Sequence, residues 1–207
     1  MPVKPSHDTR PPHAWPADIT YLTKSRLSPK FLTSLFPFLF DPPRPDELNF
    51  TPHPIAHPPL VQIKNVFDSS HPASGQYGLF AKKKLDGGTL IIPYLGIIHA
   101  SIKGEADEHE SSDYDLSLVR LSASDPLNPF PGRHISIGVD AAQAGNAGRF
   151  VNDYRGIQPA PNAEFRVGKG EAGKTTMEIW TLKPGIPKGD EILVTYGKGW
   201  WSARNGI

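Results

Sequence analysis

The pattern of apolar and polar positions becomes strand-like near residue 60. The run 61–66 alternates apolar and polar residues, as a half-buried strand does. Further short apolar runs, separated by turn residues, cover 79–81, 89–98, 116–119, 135–139, 163–167, 177–182 and 191–196. About eight short strands with little helix predict a mainly β domain of folded sheets rather than an alternating α/β fold.

Three local signals refine this pattern. Asp86-Gly87-Gly88 predicts a hairpin between the runs 79–81 and 89–98. Asp140 is expected to cap a short helix that ends at Gly145. The stretch 145–165 is too irregular for a single helix or strand, so we expect a loop that positions side chains.

Composition divides the chain. All 19 glycines lie from Gly75 onward, whereas 15 of the 23 prolines lie at or before Pro72. A Pro-rich segment without glycine disfavours tight turns and long helices. We therefore expect a partly extended N-terminal extension over 1–58, a domain over 59–198 and a short aromatic segment over 199–207.

One helix is predicted within the extension. Ser28-Pro29 provides an N-cap and a first-turn proline, and apolar residues then recur at helical spacing until Pro37. We expect 31–40 to pack on the domain that follows; the alternative is a docking element for a partner. The Pro-rich run 41–45 is compatible with a polyproline ligand and equally with a linker.

Composition also excludes several classes of site. The chain has no cysteine, which rules out disulfides, thiolate zinc sites and a cysteine nucleophile. The histidines show no helical ligand spacing, so no metal is expected. With a net charge of +1, no apolar run of about 20 residues and no signal-peptide pattern, we expect a cytosolic or nuclear protein without a membrane or direct nucleic-acid site.

Candidate chemistry lies in four ordered motifs. Gly75-Gln76-Tyr77-Gly78 precedes an apolar strand, and its glycines let backbone groups approach a ligand closely. No helix is predicted after it, so it is not a dinucleotide fingerprint. Arg149-Phe150-Val151-Asn152-Asp153, Pro161-Asn162-Ala163 and the stretch 189–197 follow. Together they resemble the motifs of the SET domain, the fold of most protein-lysine methyltransferases.

The resemblance implies a fold and an activity. The loop of Asn152 and the last strand are expected to meet in a pseudoknot-like crossing, which brings Asn152 and Tyr196 together. The implied reaction moves a methyl group from S-adenosylmethionine to a protein lysine in basic surroundings, leaving S-adenosylhomocysteine and requiring no metal. Histones are the expected substrate, and a nuclear location is favoured over a cytoplasmic one.

The resemblance also implies site residues. Tyr196 is expected to be the catalytic tyrosine, and Tyr94 is expected to line the lysine channel. The residues implied to bind the cofactor are Gln76, Tyr77, Gly78, Tyr114, Arg149, Phe150, Asn152, Asp153 and Trp200. A buried tyrosine in a sheet is often a core residue rather than a catalytic one. A core role is favoured for Tyr114, and for Tyr94 both roles stay open. Trp200 or Trp201 would take the place of the family's Cys-rich segment or, alternatively, would cap the core.

Three positions depart from the family pattern. Ile97 stands where an acidic residue is usual, Asp153 replaces histidine, and Thr195 replaces Asp or Asn. An aspartate accepts hydrogen bonds where a histidine can donate, and it could pair with Arg149 or Arg155. These departures support the alternative of a catalytically weakened SET module that binds a protein partner.

An acidic loop precedes Tyr114. The stretch 103–115 carries six carboxylates and one histidine. Such a charge run is commonly a solvated loop. Equally, it could form an acidic lip that attracts a basic peptide.

Overall fold

Short strands account for most of the regular structure in the computed structural model, which describes residues 10–40, 60–170 and 173–197. In chain order the elements are β1 (Thr20–Tyr21), β2 (Arg26–Leu27), a 3₁₀ helix (Thr33–Leu35), α1 (Phe36–Leu39), β3 (Val61–Asn65), β4 (Tyr77–Ala81), β5 (Leu85–Asp86), β6 (Leu90–Tyr94), β7 (Ile97–Ile102), β8 (Asp115–Leu121), β9 (Ile135–Asp140), β10 (Ala144–Gly145), a second 3₁₀ helix (Ala147–Phe150), β11 (Asn152–Asp153), β12 (Ala163–Lys169), β13 (Thr175–Thr181), β14 (Gly185–Ile186) and β15 (Leu193–Val194). The predicted mainly β class is confirmed.

The strands form several small sheets. The larger ones have the orders β2-β7-β9-β8 and β12-β13-β6, and the two-stranded ones pair β1 with β10, β3 with β4, β5 with β14 and β11 with β15. Along β13, buried and half-buried residues alternate, with Ile179 fully buried. Because neighbouring sheets turn such apolar faces toward one another, they enclose one main hydrophobic core.

Two strand predictions need correction. The run 89–98 forms two strands, since β6 pairs with β13 and β7 pairs with β9. The chain turns between them at Gly96, where a Cβ atom would collide with the Asp140 carbonyl. The hairpin predicted at 86–88 is wrong, because β4 pairs with β3 and β5 pairs with β14. A turn sequence indicates that the chain reverses direction, but it does not indicate which strands then pair.

The helix predicted after Asp140 is also wrong. Asp140 Oδ1 does accept the Ala142 N–H at 2.8 Å, but as part of a turn. The next residues form β10, which pairs in parallel with β1 of the N-terminal segment. A 3₁₀ helix follows instead, capped by the side chain of Asn146. Pairing with a distant strand thus overrides the local capping signal.

The N-terminal segment packs on the domain through β1, β2 and one helical stretch. The helical residues begin at Thr33, later than predicted, and continue through Pro37. Pro37 is tolerated because it lies in the first turn of α1, where a backbone N–H needs no partner. Leu35 and Leu39 are fully buried in the main core, while Phe40 is 41% exposed.

The C-terminal strand completes the fold by crossing the 152–162 loop. On one side, β15 pairs in parallel with β11, with Asn152 opposite Leu193. On the other side, Leu193 N–H donates to Asn162 Oδ1 at 2.8 Å, and Asn162 N–H donates to the Leu193 carbonyl at 3.0 Å. The strand therefore passes between the two arms of the loop, which is the predicted crossing. Such threading is rare, and it fixes the side chains on both segments.

Candidate functional site

The crossing places Tyr196 beside the Asn152 loop. Its hydroxyl donates to the Val151 carbonyl at 2.8 Å, and its backbone N–H donates to Asp153 Oδ2 at 2.7 Å. Burial raises the pKa of Tyr196 well above its ordinary value of 10, so the side chain stays a neutral phenol even in mildly alkaline solution. Tyr196 thus lies next to the loop that carries Asn152, although the two residues are far apart in the chain.

The Asp153 side chain hydrogen-bonds to groups on both segments of this crossing. Its buried carboxylate accepts the Tyr196 N–H, the Arg155 N–H at 2.9 Å and Arg155 Nη1 at 2.9 Å. Of the two arginines considered from the sequence, Arg155 is the ion-pair partner. A carboxylate suits this position because the neighbouring groups are donors, so the departure from histidine has a structural reason.

Tyr94 and Tyr114 lie close to Tyr196. The Tyr94 side chain is buried, and its hydroxyl donates to the Tyr114 carbonyl at 2.8 Å. Burial raises the pKa of Tyr94 well above 10, and both Tyr114 and Tyr196 lie within electrostatic reach of it. The structure therefore brings three of the predicted tyrosines together, although Tyr94 also packs edge-on against Phe165 in the core.

Arg149 and Phe150 contact other predicted site residues. Arg149 Nε donates to the Ala141 carbonyl at 2.8 Å, and the guanidinium lies 4.2 Å from the Tyr114 ring centroid. Phe150 is buried, with Tyr77 packed edge-on at 5.5 Å. Both side chains thus hold other predicted site residues in place.

The Gln76–Gly78 motif borders the same region. Asn152 Nδ2 donates to the Tyr77 carbonyl at 3.2 Å and to Glu191 Oε1 at 2.8 Å. Gln76 is exposed, and its backbone N–H and carbonyl bond to Ala73 and Val66. The sequence motif contained Glu191 but gave no indication of its contact with Asn152. The one signal in the sequence that could have identified Glu191 is that an acidic residue precedes the last strand within that motif.

The acidic loop is anchored to the domain. His109 Nδ1 bonds to Asp140 Oδ2 at 2.7 Å, and the Ser112 hydroxyl donates to Asp140 Oδ1 at 2.7 Å. Two of its carboxylates, Glu105 and Glu108, form exposed ion pairs with Arg133 and Lys30. The loop is therefore not a free solvated segment, and part of its charge is neutralised.

A stacked histidine pair joins this loop to β7. The rings of His99 and His109 are 3.8 Å apart, and His99 Nε2 bonds to Asp115 Oδ1 at 2.8 Å. Burial opposes a charge on His99, but the hydrogen bond and charge of Asp115 outweigh it and raise the pKa above the ordinary 6.5. His99 Nδ1 is buried without a hydrogen-bond partner within the described ranges.

Some predicted features lie outside the described residues: Trp200 and Trp201, the Pro-rich run 41–45 and the domain boundaries at 58 and 198. Over residues 10–40, 60–170 and 173–197, no group of three or more acidic or histidine side chains could hold a metal ion. No helix in these ranges is long and apolar enough to cross a membrane.

Comparison with known proteins identifies the domain. The family model described as the SET domain matches residues 76–197. No curated protein sequence matches the chain. Among solved structures, a chain of the polycomb repressive complex 2 from Chaetomium thermophilum is similar at 22% identity and a TM-score of 0.45, over 67% of this chain and 15% of that one.

Two further structures of ctPRC2 show similar values. One, in an autoinhibited conformation bound to S-adenosylmethionine, matches at 23% identity and a TM-score of 0.42, over 66% of this chain and 15% of that one. The other, in complex with H3K27me3 and H3K27M, matches at 20% identity and a TM-score of 0.44, over 66% and 14%. The chain thus spans about one seventh of the length of these structural relatives.

Proposed function

Because this chain belongs to the SET-domain family, we propose that it is a protein-lysine N-methyltransferase that uses S-adenosylmethionine. The observation that carries the proposal is the parallel pairing of β11 with β15. It sets Tyr196 against the Val151 carbonyl, one residue before Asn152. The loop that holds the Tyr196 hydroxyl therefore also carries the asparagine that the resemblance assigns to the cofactor, and this supports the proposal.

The residues present fit the cofactor. Tyr77 exposes part of its surface, whereas Gly78 is buried and the space beside it is filled by Glu191 and Phe80, so a ligand would approach this strand at Gln76 and Tyr77. Asn152 lies against the Tyr77 carbonyl, at the junction of this strand with the crossing. We assign the amino-acid end of the cofactor to Gln76, Tyr77, Gly78 and Asn152. When bound, the cofactor supplies a methyl group on a positively charged sulfur.

The tyrosines suit the transfer of that methyl group to an amine. The positive charge moves from sulfur to nitrogen, so the site needs alignment, exclusion of water and oxygen atoms nearby. Tyr196 and Tyr94 are neutral phenols at physiological pH, and burial raises the pKa of both further, so each offers a neutral hydroxyl oxygen on a rigid ring. Tyr196 is the proposed catalytic residue, and Tyr94 is the proposed wall of the lysine channel.

The proposed substrate is a lysine in a basic segment of a protein, with histones as the first candidates. The acidic loop supports this choice, since it holds six carboxylates between 103 and 115 and is anchored close to Tyr114. Complementary charge would steer a basic peptide toward the site. A chromatin substrate would imply a nuclear location.

Binding of S-adenosylhomocysteine tests the proposal. Isothermal calorimetry should give one site per chain, and the melting temperature should rise with ligand concentration as mass action requires. Tyr196→Phe should retain binding, since its ring remains, but should lose methyl transfer. No binding and no thermal shift at about millimolar ligand would favour the alternative, a SET module that binds a protein partner without catalysis.

A further inference from the structure

Glu191 links three segments of the proposed site through one buried carboxylate. Oε1 accepts Asn152 Nδ2 at 2.8 Å, and Oε2 contacts His71 Nε2 at 3.0 Å. The Glu191 and His71 side chains are only 9% and 8% exposed. In addition, Asn162 Nδ2 donates to the Glu191 carbonyl at 2.8 Å, which fixes the backbone from which the carboxylate extends.

The partner histidine has a defined tautomer. Ala73 N–H donates to His71 Nδ1 at 3.0 Å, so this nitrogen must be an acceptor. In the neutral ring the proton then lies on Nε2, which donates to Glu191. The His71 turn leads directly into Gln76–Gly78, so Glu191 ties that strand to the crossing.

Gly78 provides the space for this arrangement. A Cβ atom at Gly78 would lie 2.6 Å from Glu191 Oε1 and 3.2 Å from its Cδ. The absence of a side chain on the strand is therefore a condition for the carboxylate to reach Asn152. The glycine of the motif thus makes room for the protein's own carboxylate.

We propose that Glu191, held by His71, is a positioning residue for the cofactor. With both Nδ2 protons of Asn152 directed at Glu191 and the Tyr77 carbonyl, the amide has a single orientation and its Oδ1 remains as the acceptor for a ligand. An ammonium group is the partner such an oxygen recognises, and the amino-acid end of S-adenosylmethionine carries one. This inference rests on the proposed function and identifies what orients its binding group.

Calorimetry with S-adenosylhomocysteine tests the inference through Glu191→Gln. A glutamine of equal size replaces one carboxylate oxygen by an NH2 donor, which would face a donor at either Asn152 Nδ2 or His71 Nε2. Losing a charge-assisted bond of this kind should weaken binding about tenfold or more, with the number of sites per chain unchanged. KM for S-adenosylmethionine should rise accordingly, while KM for the protein substrate stays the same.

Glu164→Gln is the matched control. Glu164 is also a strand glutamate with a basic partner, Arg166, but lies on the surface away from Asn152. The affinity of Glu164→Gln for S-adenosylhomocysteine should stay within about twofold of the wild-type value. His71→Ala should weaken binding and His71→Gln should partly restore it, since a glutamine amide can donate to Glu191; these variants replace Glu191→Gln if it does not fold.

The outcomes separate the two proposals. If wild type does not bind S-adenosylhomocysteine, the proposed function fails and the inference fails with it. If wild type binds and Glu191→Gln binds equally well, only the inference is overturned. A fall in the number of sites at unchanged affinity would mean partial unfolding, and that result would also overturn a positioning role.

Discussion

Replacing Asp153 tests the crossing on which the site depends. In Asp153→Ala the backbone N–H of Tyr196, the N–H of Arg155 and Arg155 Nη1 lose their carboxylate acceptor. The bond from Tyr196 is worth about 1.5–3 kcal/mol because its acceptor is charged and buried. The two from Arg155 add about 1 kcal/mol together, since that side chain is 36% exposed and its ion pair is screened by solvent.

The expected loss is therefore about 3 kcal/mol, which corresponds to a fall in melting temperature of about 6–12 °C for a chain of this size. Urea unfolding followed by tryptophan fluorescence measures it. Asp153→Asn keeps one acceptor oxygen and should lose about half as much, while Arg155→Ala should lose about 1 kcal/mol or less. A loss below about 1 kcal/mol in Asp153→Ala, or an equal loss in Arg155→Ala, would refute this account of the crossing.

Three further predictions follow from the structure. Tyr196→Phe should abolish or strongly reduce methyl transfer while costing only about 1 kcal/mol of stability, from the lost bond to the Val151 carbonyl; undiminished transfer would contradict the assigned role. Leu39→Ala should lower the free energy of unfolding by about 2–5 kcal/mol because Leu39 is fully buried, whereas Leu32→Ala, at 37% exposure, should lower it much less in the same urea titration. Equal losses in the two variants would refute an anchoring role for α1. His99 has a raised pKa, so the stability it contributes is complete below its unfolded value of 6.5 and is lost as pH rises through the folded value. The stability difference between wild type and His99→Gln should thus shrink as pH rises above 6.5, and a constant difference would argue against a charged His99.

The sequence predicted the parts of the fold that local pattern determines. Alternation identified β3, and short apolar runs between turn residues identified β9 and β13, each within a few residues. The ordered motifs led to the crossing, because they carried family information that local periodicity lacks. The loop character of 145–165 also followed from its glycines and prolines, although the stretch contains a 3₁₀ helix, β11, the last residue of β10 and the start of β12.

Features that depend on distant partners were not predictable. Asp140 has the residue type of a helix cap, yet β1 pairs with the residues that should have been helical. Glu191 and His71 are 120 residues apart, and neither has a local pattern that signals a buried pair. The choice of Asp153 likewise became intelligible only when the Tyr196 and Arg155 donors were seen around it.

The most direct test of the central claim is methyl transfer itself. The purified chain would be incubated with S-adenosylmethionine labelled on its methyl group and, separately, with core histones, ribosomal proteins and a nuclear lysate, with Tyr196→Phe in parallel. We predict labelling of a lysine in a basic protein, strongest in histones and absent with the variant. Binding of the cofactor without label on any fraction, or equal labelling by the variant, would contradict the account.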